Sequence, residues 1–357
     1  MKNNILIVTP KLSTSGGVSS YWNALLPKLV KSDKITNYQI GGHGKNIFGP
    51  IMDQFNFRKE LKKDIDLIFL NPSLGSKSFF RDAFLAKQII KRKLPFVVFF
   101  HGWSLDFEKK VDEKYKNFFM STFGQAQIIF VLSNDFKNKI REWGYKGKFI
   151  LETTNVDASL IANFDLKKKF SNVEKSEKIK ILFLARLLRE KGVFETVEAF
   201  RNLANKYTHI ELTIAGDGKD LAELKEVVKD DENIIVAGYV EGQDKIDLFR
   251  DSHIYCFPTF YGEGLPTSIL EAMAFGMPVI TTNMGGLKEF FQDEKMGYFV
   301  GPKNVTELEK KLELLLLHKD KMIEVGTYNY AYANEKLLNT VVAKRIHSYM
   351  VNAIEGK

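Results

Sequence analysis

The chain has 357 residues, 45% of them hydrophobic and 27% charged, with a net charge of +8. This is an ordinary composition for a soluble globular protein, long for one core and comfortable for two. No apolar run approaches the roughly 18–20 residues that span a bilayer, and the single cysteine, Cys256, excludes an internal disulfide and a cysteine-rich zinc site. The start runs straight into the strand-like Ile5–Val8 without the charged, apolar and cleavage regions of a signal peptide. A reducing, cytoplasmic location is expected.

In chain order, Ile5–Thr9 reads as a strand, followed by a glycine-containing loop and a helix from Tyr21 to Val30. Asp66–Asn71 reads as a strand, Phe79–Lys91 as a helix, and Pro95–Phe100 and Ile128–Ser133 as strands. Asp135–Trp143 reads as a helix closed by Gly144. Residues 166–178, within LKKKFSNVEKSEKIK, are polar and charged and read as a linker. The alternation then restarts at Ile179–Ala185 and continues through the strands His209–Ala215, Ile234–Ala237, Ile254–Pro258 and Pro278–Thr281. Helices fall between them at Val193–Lys206, Leu221–Lys229, Lys245–Arg250 and Pro266–Phe275, and a last one spans about residues 334–353. This rhythm predicts α/β units with parallel sheets. The expected domains are residues 1–165 and 179–333, and residues 334–357 suit either unit, including a helix packed back on the first. Such sheets bind ligands at the carboxyl ends of their strands.

The charge divides unevenly. Residues 1–170 hold 28 Lys/Arg against 15 Asp/Glu, and residues 171–357 hold 24 against 29. A basic first half suits an anionic partner and equally suits a plain solvated surface.

Five groups of residues are candidates for chemistry. Gly262-Glu263-Gly264-Leu265-Pro266-Thr267-Ser268-Ile269-Leu270-Glu271 places two carboxylates eight positions apart, around a loop that opens a helix. The amides of Gly264, Leu265 and the first turn suit a diphosphate. Glu263 suits sugar hydroxyls and Glu271 a ribose diol, because a carboxylate has two acceptor oxygens. Both glutamates equally suit solvated positions. Arg186 and Lys191, in Ala185–Gly192 (ARLLREKG), follow a strand and suit the charge of a leaving diphosphate. The paired Gly16 and Gly17, after Ser15, let a backbone approach a phosphate or simply make a turn. His101, after the apolar Pro95–Phe100, faces the carboxyl edge as a sugar-binding or a structural residue. Gly216 and the Gly238-Tyr239-Val240 string follow strands, as nucleotide-side loops or as turns. Asp64-Ile65-Asp66 has a metal-binding spacing but starts a strand at its amino end, away from the expected site.

Taken together, these motifs resemble the retaining glycosyltransferases of family 4. The resemblance is most specific from Ile179 to Glu289, in the Glu263–Glu271 spacing and in the ARLLREKG string. It implies the GT-B architecture, two Rossmann-like parallel-sheet domains facing across a cleft. It also implies a nucleotide-sugar donor with UDP or GDP, no metal or other cofactor, and a glycan or lipid-linked glycan acceptor in bacterial surface polysaccharide synthesis. By the same resemblance Glu263 contacts the donor sugar, Gly264 and Leu265 the sugar and diphosphate, and Ser268 the donor. Glu271 holds the ribose, Arg186 and Lys191 the diphosphate, and Gly216, Tyr239 and Val240 the nucleotide side. His101 lies near the anomeric centre, and Gly16 and Gly17 line the cleft. Pro266, where many members have a small or apolar residue, removes one amide from the loop.

Phe107–Phe123 alternates Lys109, Lys110, Lys114 and Lys116 with Tyr115, Phe118 and Phe119. It suits an anionic membrane surface or an amphipathic helix covering the core. No nucleic-acid module is evident. An epimerase of the same architecture and a non-catalytic glycan- or nucleotide-binding protein stand as alternatives. A nicotinamide dehydrogenase fits less well, since no full dinucleotide fingerprint is present.

Overall fold

A computed structural model describes residues 2–14, 16–30, 33–43, 48–175, 178–262 and 264–356. It has two α/β units, each built on a parallel sheet. The first comprises Met1–Asn155, Gly262–Leu265 and Asn339–Lys357, and the second Val156–Tyr261 and Pro266–Leu338.

The first unit holds strands β1 (Asn4–Pro10), β2 (Lys34–Ile40), β3 (Leu67–Leu70), β4 (Ser73–Leu74), β5 (Phe96–Phe100), β6 (Gly102–Trp103), β7 (Ile128–Val131) and β8 (Lys148–Leu151). Six of them form a parallel sheet in the order β2-β1-β3-β5-β7-β8, and β4 pairs with β6. The central strands are continuous apolar runs. LIFL in β3, FVVFF in β5 and IIFV in β7 are buried throughout. That is the pattern of strands covered on both faces. The edge strand β2, KITNYQI, is largely polar and mostly accessible.

The second unit holds β9 (Ile179–Leu184), β10 (Ile210–Ala215), β11 (Ile234–Gly238), β12 (Ile254–Phe257), β13 (Val279–Thr282) and β14 (Gly297–Val300). Their order is β11-β10-β9-β12-β13-β14, again parallel. In both sheets the first strand in sequence is central and the chain later returns to its other side. This creates a switch point between β1 and β3, and another between β9 and β12. Loops leaving the carboxyl ends there diverge, which makes room for a ligand.

The segment read as a linker, residues 166–178, contains a helix. Leu166–Lys175 is a helix that buries Lys169 and Val173. Its charged residues mask an inward face carried by one valine and the stem of one lysine. The Lys169 ammonium donates to the Phe249 carbonyl at 2.9 Å. Burial lowers its pKa to about 7, partly opposed by Asp251.

The helix Asn339–Ile354 lies in the first unit. Arg345 Nε donates to Glu152 Oε2 at 2.8 Å, and the Glu152 side chain is almost wholly buried. The Asn339 side chain donates to the Ala24 carbonyl at 2.9 Å. Leu338 makes an isolated parallel bridge with Val156 inside the second unit.

Lys169 gives a pH signature. The unfolded chain keeps this amine protonated up to about pH 10.4, whereas the folded chain releases the proton near 7. Between those values the unfolded state binds more protons, so stability rises with pH. In urea melts, wild type is expected to gain on Lys169→Met as pH is raised from about 7 to about 9.5. A difference that stays constant over that range would mean the amine is solvated.

Candidate active site

Three loops meet at the carboxyl edge of the second sheet. Gly216 and Gly218, after β10, press on the backbone of the loop after β9. A Cβ on Gly216 would lie 1.8 Å from the Ala185 oxygen, and one on Gly218 would lie 2.2 Å from the Leu187 oxygen. Only glycine leaves room for that approach. Leu187 N–H donates to the Asp217 carbonyl at 2.9 Å, and Gly216 N–H to the Gly238 carbonyl at 2.7 Å. The loops after β9 and β10 and the end of β11 are thereby joined by main-chain bonds.

Across the switch point, the loop after β9 also meets the loop after β12. A Cβ on Gly192 would lie 2.4 Å from the Pro258 oxygen. Phe260 N–H donates to the Glu190 carbonyl at 2.9 Å. This holds Lys191 in place, buried, with its ammonium 4.3 Å from the centre of the Tyr261 ring. The ring face attracts the cation. Arg186 differs. Its side chain is exposed and has no hydrogen bond or ion pair among the described residues. One anchored and one open cation thus share the loop after β9.

The helix Thr267–Ala274 follows Pro266, which occupies the N-cap position. Ser268, in its first turn, is half-buried, and Glu271 is buried. Glu271 Oε1 accepts from the Lys245 ammonium at 2.7 Å. Sequence reasoning missed Lys245, because only the fold brings the helix Gly242–Asp251 beside residue 271. Tyr239 is 71% exposed after β11, and its hydroxyl donates to Glu241 at 3.2 Å. The neighbouring Val240 is half-buried.

In the first unit, Gly16 caps the helix Gly17–Leu25 with φ 154° and ψ 153°, a conformation essentially restricted to glycine. Gly17 is the first residue of that helix. Its Tyr21 ring lies 4.7 Å from the His101 ring, which also packs on Phe99 at 3.8 Å. His101 is buried, and desolvation lowers its pKa to about 3. Its Nε2 is 3.2 Å from Asn71 Oδ1. The Asn71 amide donates to the Val8 carbonyl at 2.9 Å, so Oδ1 is the end that faces the ring. Nε2 therefore carries the proton and Nδ1 is an acceptor. Asn71 was another residue not singled out from the sequence, though it ends an apolar strand just as His101 does.

Gly264 lies against His101. A Cβ there would be 2.7 Å from the His101 oxygen and 2.9 Å from Leu132 Cδ1. Leu265 is buried beside it in sequence. Among the described residues, the amides of Gly264 and Leu265 have no acceptor. Glu263 and Ser15 lie outside the described residues.

Asp64 and Asp66 serve the fold. Asp66 accepts from Asn4 N–H at 2.7 Å and Asp64 from the Asn4 amide at 3.1 Å, both at the amino ends of strands. Among the described residues, no three His, Cys, Asp or Glu side chains gather to hold a metal ion. In Phe107–Phe123 the aromatic residues turn inward. Phe107, Tyr115, Phe118 and Phe119 all pack around Phe79, while Lys109, Lys110, Lys114 and Lys116 stay exposed.

With this geometry in place, comparison with known proteins is informative. Residues 165–332 match the family Glycosyl transferases group 1. An uncharacterized glycosyltransferase of Haemophilus influenzae is 28% identical over 168 residues, 46% of this chain and 47% of that protein. The amylovoran biosynthesis glycosyltransferase AmsK of Erwinia amylovora is 24% identical over 311 residues, 83% of this chain and 72% of AmsK. The match thus spans about half of the first relative and nearly three quarters of the second. Among solved structures, sucrose-phosphate synthase from Thermosynechococcus elongatus superposes with a TM-score of 0.76, at 15% identity and over all of both chains. HepE of Anabaena in complex with UDP-glucose superposes with a TM-score of 0.72, at 14% identity, over 98% of this chain and 99% of HepE. These likenesses show the fold, the two-domain α/β architecture of GT-B glycosyltransferases. Apart from Gly262–Leu265, the family match lies within the second unit.

The buried His101 is expected to stay neutral across the physiological range. By NMR, its ring resonances should not move between about pH 8 and about pH 5. A midpoint at the ordinary histidine value of about 6.5 would show a solvated ring. The unfolded chain takes up a proton below 6.5 that the folded chain refuses until about 3. Stability linked to His101 is therefore present above 6.5 and lost as pH falls through that window.

Proposed function

We propose that the protein is a retaining, family 4 glycosyltransferase. In this reading it moves a sugar from a UDP- or GDP-linked donor to a glycan or lipid-linked glycan acceptor in bacterial surface polysaccharide synthesis. The observation that carries the reading is the pair Arg186 and Lys191 at the switch point of the second sheet, beside three glycine-locked loops. The family match over residues 165–332 and the polysaccharide role in the name of AmsK support it. So does the UDP-glucose bound to HepE.

The bond from the anomeric carbon to the diphosphate oxygen breaks, and its electron pair leaves with the diphosphate. Arg186, open to solvent, closes on the phosphates with its planar fork, and Lys191 supplies a fixed point charge. These two cations provide the countercharge, so the reading includes transfer without a metal. Glu271 accepts from the ribose hydroxyls, and Tyr239 offers an exposed ring beside the base. The amides of Gly264 and Leu265 face the sugar and diphosphate, and Glu263 holds the sugar hydroxyls. Gly16 and Gly17 leave the backbone open to the donor. Neutral His101 accepts a hydrogen bond from a sugar hydroxyl at Nδ1 and thereby orients the sugar. The acceptor oxygen attacks on the face the diphosphate leaves, and its proton passes to a leaving phosphate oxygen. The catalytic gain comes from positioning and from charge stabilisation on a good leaving group.

Arg186→Ala is expected to weaken UDP or GDP binding by about 10- to 100-fold, the worth of a charge-assisted hydrogen bond. Titration calorimetry giving wild-type affinity would move the diphosphate site elsewhere. Glu263→Ala should abolish most transfer while leaving the melting temperature unchanged; full activity in that variant would remove its role. Transfer should also survive EDTA, and a loss restored by Mn²⁺ would point to a metal-assisted reaction.

A further inference from the structure

The helix Gly49–Glu60 is apolar on two sides. One side is built into the first unit. Phe57 is fully buried against Tyr38, and the Tyr38 hydroxyl donates to the Asp53 carbonyl at 2.8 Å. The buried Asp53 carboxylate accepts from Gly41 N–H at 2.8 Å and lies 2.8 Å from His43 Nε2. The other side faces water. Ile51 is 65% exposed, Met52 53% and Phe55 55%, and Phe48, just before the helix, is 65% exposed. These positions fall at i, i+3, i+4 and i+7, which is one stripe. Scattered exposed apolar residues are normal, but a continuous stripe marks an interaction surface.

The surroundings of the stripe are basic. Residues 48–93 hold ten Lys/Arg against five Asp/Glu. All five acids are engaged: Asp53 with Gly41 and His43, Asp82 with Arg81, Asp64 and Asp66 with Asn4, and Glu60 with Lys63. Arg58, Lys59 and Lys62 are exposed at the end of the helix. Lys59 lies 4.8 Å from the centre of the Phe55 ring. On the neighbouring helix Ser76–Lys91, Phe84 is 50% exposed with Lys87 over its ring. The two helices are joined by Gln54, which donates to the Arg81 carbonyl and accepts from Gln88. Apolar side chains bordered by cations complement a surface that is oily within and negative at its rim.

We propose that the Gly49–Glu60 helix is a membrane-docking element, which seats Phe48, Ile51, Met52 and Phe55 in an anionic lipid interface while Arg58, Lys59 and Lys62 meet the headgroups. The helix begins on the carboxyl side of β2, the same edge of the parallel sheet at which β5 delivers His101. A docked helix therefore brings that edge towards the lipid surface. The inference rests on the proposed transfer reading only for its purpose, access to a lipid-linked acceptor.

The test is flotation of the full chain with phosphatidylcholine vesicles, with and without phosphatidylglycerol, at low and high salt. Wild type should float only with phosphatidylglycerol, and less at high salt. Ile51→Asp combined with Phe55→Asp should reduce flotation at least about tenfold. Arg58→Glu with Lys59→Glu should also reduce it and flatten the salt dependence. Both variants should keep the wild-type melt and UDP or GDP binding, since the altered side chains are exposed. Wild type that does not float, or an Asp double variant that floats like wild type, overturns the proposal. So does a two-chain species in light scattering that the Asp variant dissociates, because a second copy then covers the stripe. Sugar transfer without flotation sinks the docking element alone. Flotation without transfer in the presence of any acceptor sinks the transfer reading alone.

Discussion

At the carboxyl edge of the second sheet, main chain meets main chain with no side chain between. Gly192, Gly216 and Gly218 each sit where a Cβ would strike a carbonyl of another loop. The placement of Arg186 and Lys191 follows from that contact. It sets the path of residues 185–192, and so fixes which side chains stand at the switch point. A methyl group at residue 216 would push the β10 loop off Ala185 and carry Leu187, Arg186 and Lys191 with it. The site's charged groups are therefore positioned by residues that have no chemistry of their own.

The first unit handles its polar group in the opposite way. Among the described residues, the His101 ring contacts Tyr21, Phe99 and Asn71, none of them a cation. Burial against Phe99 and Tyr21 keeps the ring neutral, and Asn71 settles its tautomer. Positive charge in the second unit suits a leaving anion, whereas a neutral acceptor nitrogen suits hydroxyl groups. The Lys245–Glu271 pair adds a third element, a carboxylate held by a cation from a separate helix.

Much of this was legible in the residues, and the failures have physical causes. LIFL and FVVFF stand out because a strand buried on both faces must be apolar at every position. KITNYQI, half in water, does not stand out, and β2 was missed. The Gly49–Glu60 helix escaped notice for the converse reason. Apolar residues on both of its sides cancel the contrast that a 3.6-residue period requires. The helix Leu166–Lys175 does not stand out because lysines dominate it, while the buried Val173 is a single residue. Among site residues, Arg186 and Lys191 could be read locally, since a strand, a loop and a helix follow one another there. Lys245 could not, because its partner lies 26 residues away. Asn71 gains meaning only when β3 and β5 are known to be neighbours.

The chain leaves the first unit at Asn155 and rejoins it for good only at Asn339. Glu152 then finds Arg345, 193 positions later. During synthesis, the ribosome exposes residues 1–155 long before that arginine exists. For most of translation, Glu152 and the surface under the Asn339–Ile354 helix await a segment still being made. The second unit, made without interruption apart from Gly262–Leu265, has its whole sheet before then. The half that begins first is thus finished last, and the emerging chain must tolerate an unclosed face for that interval.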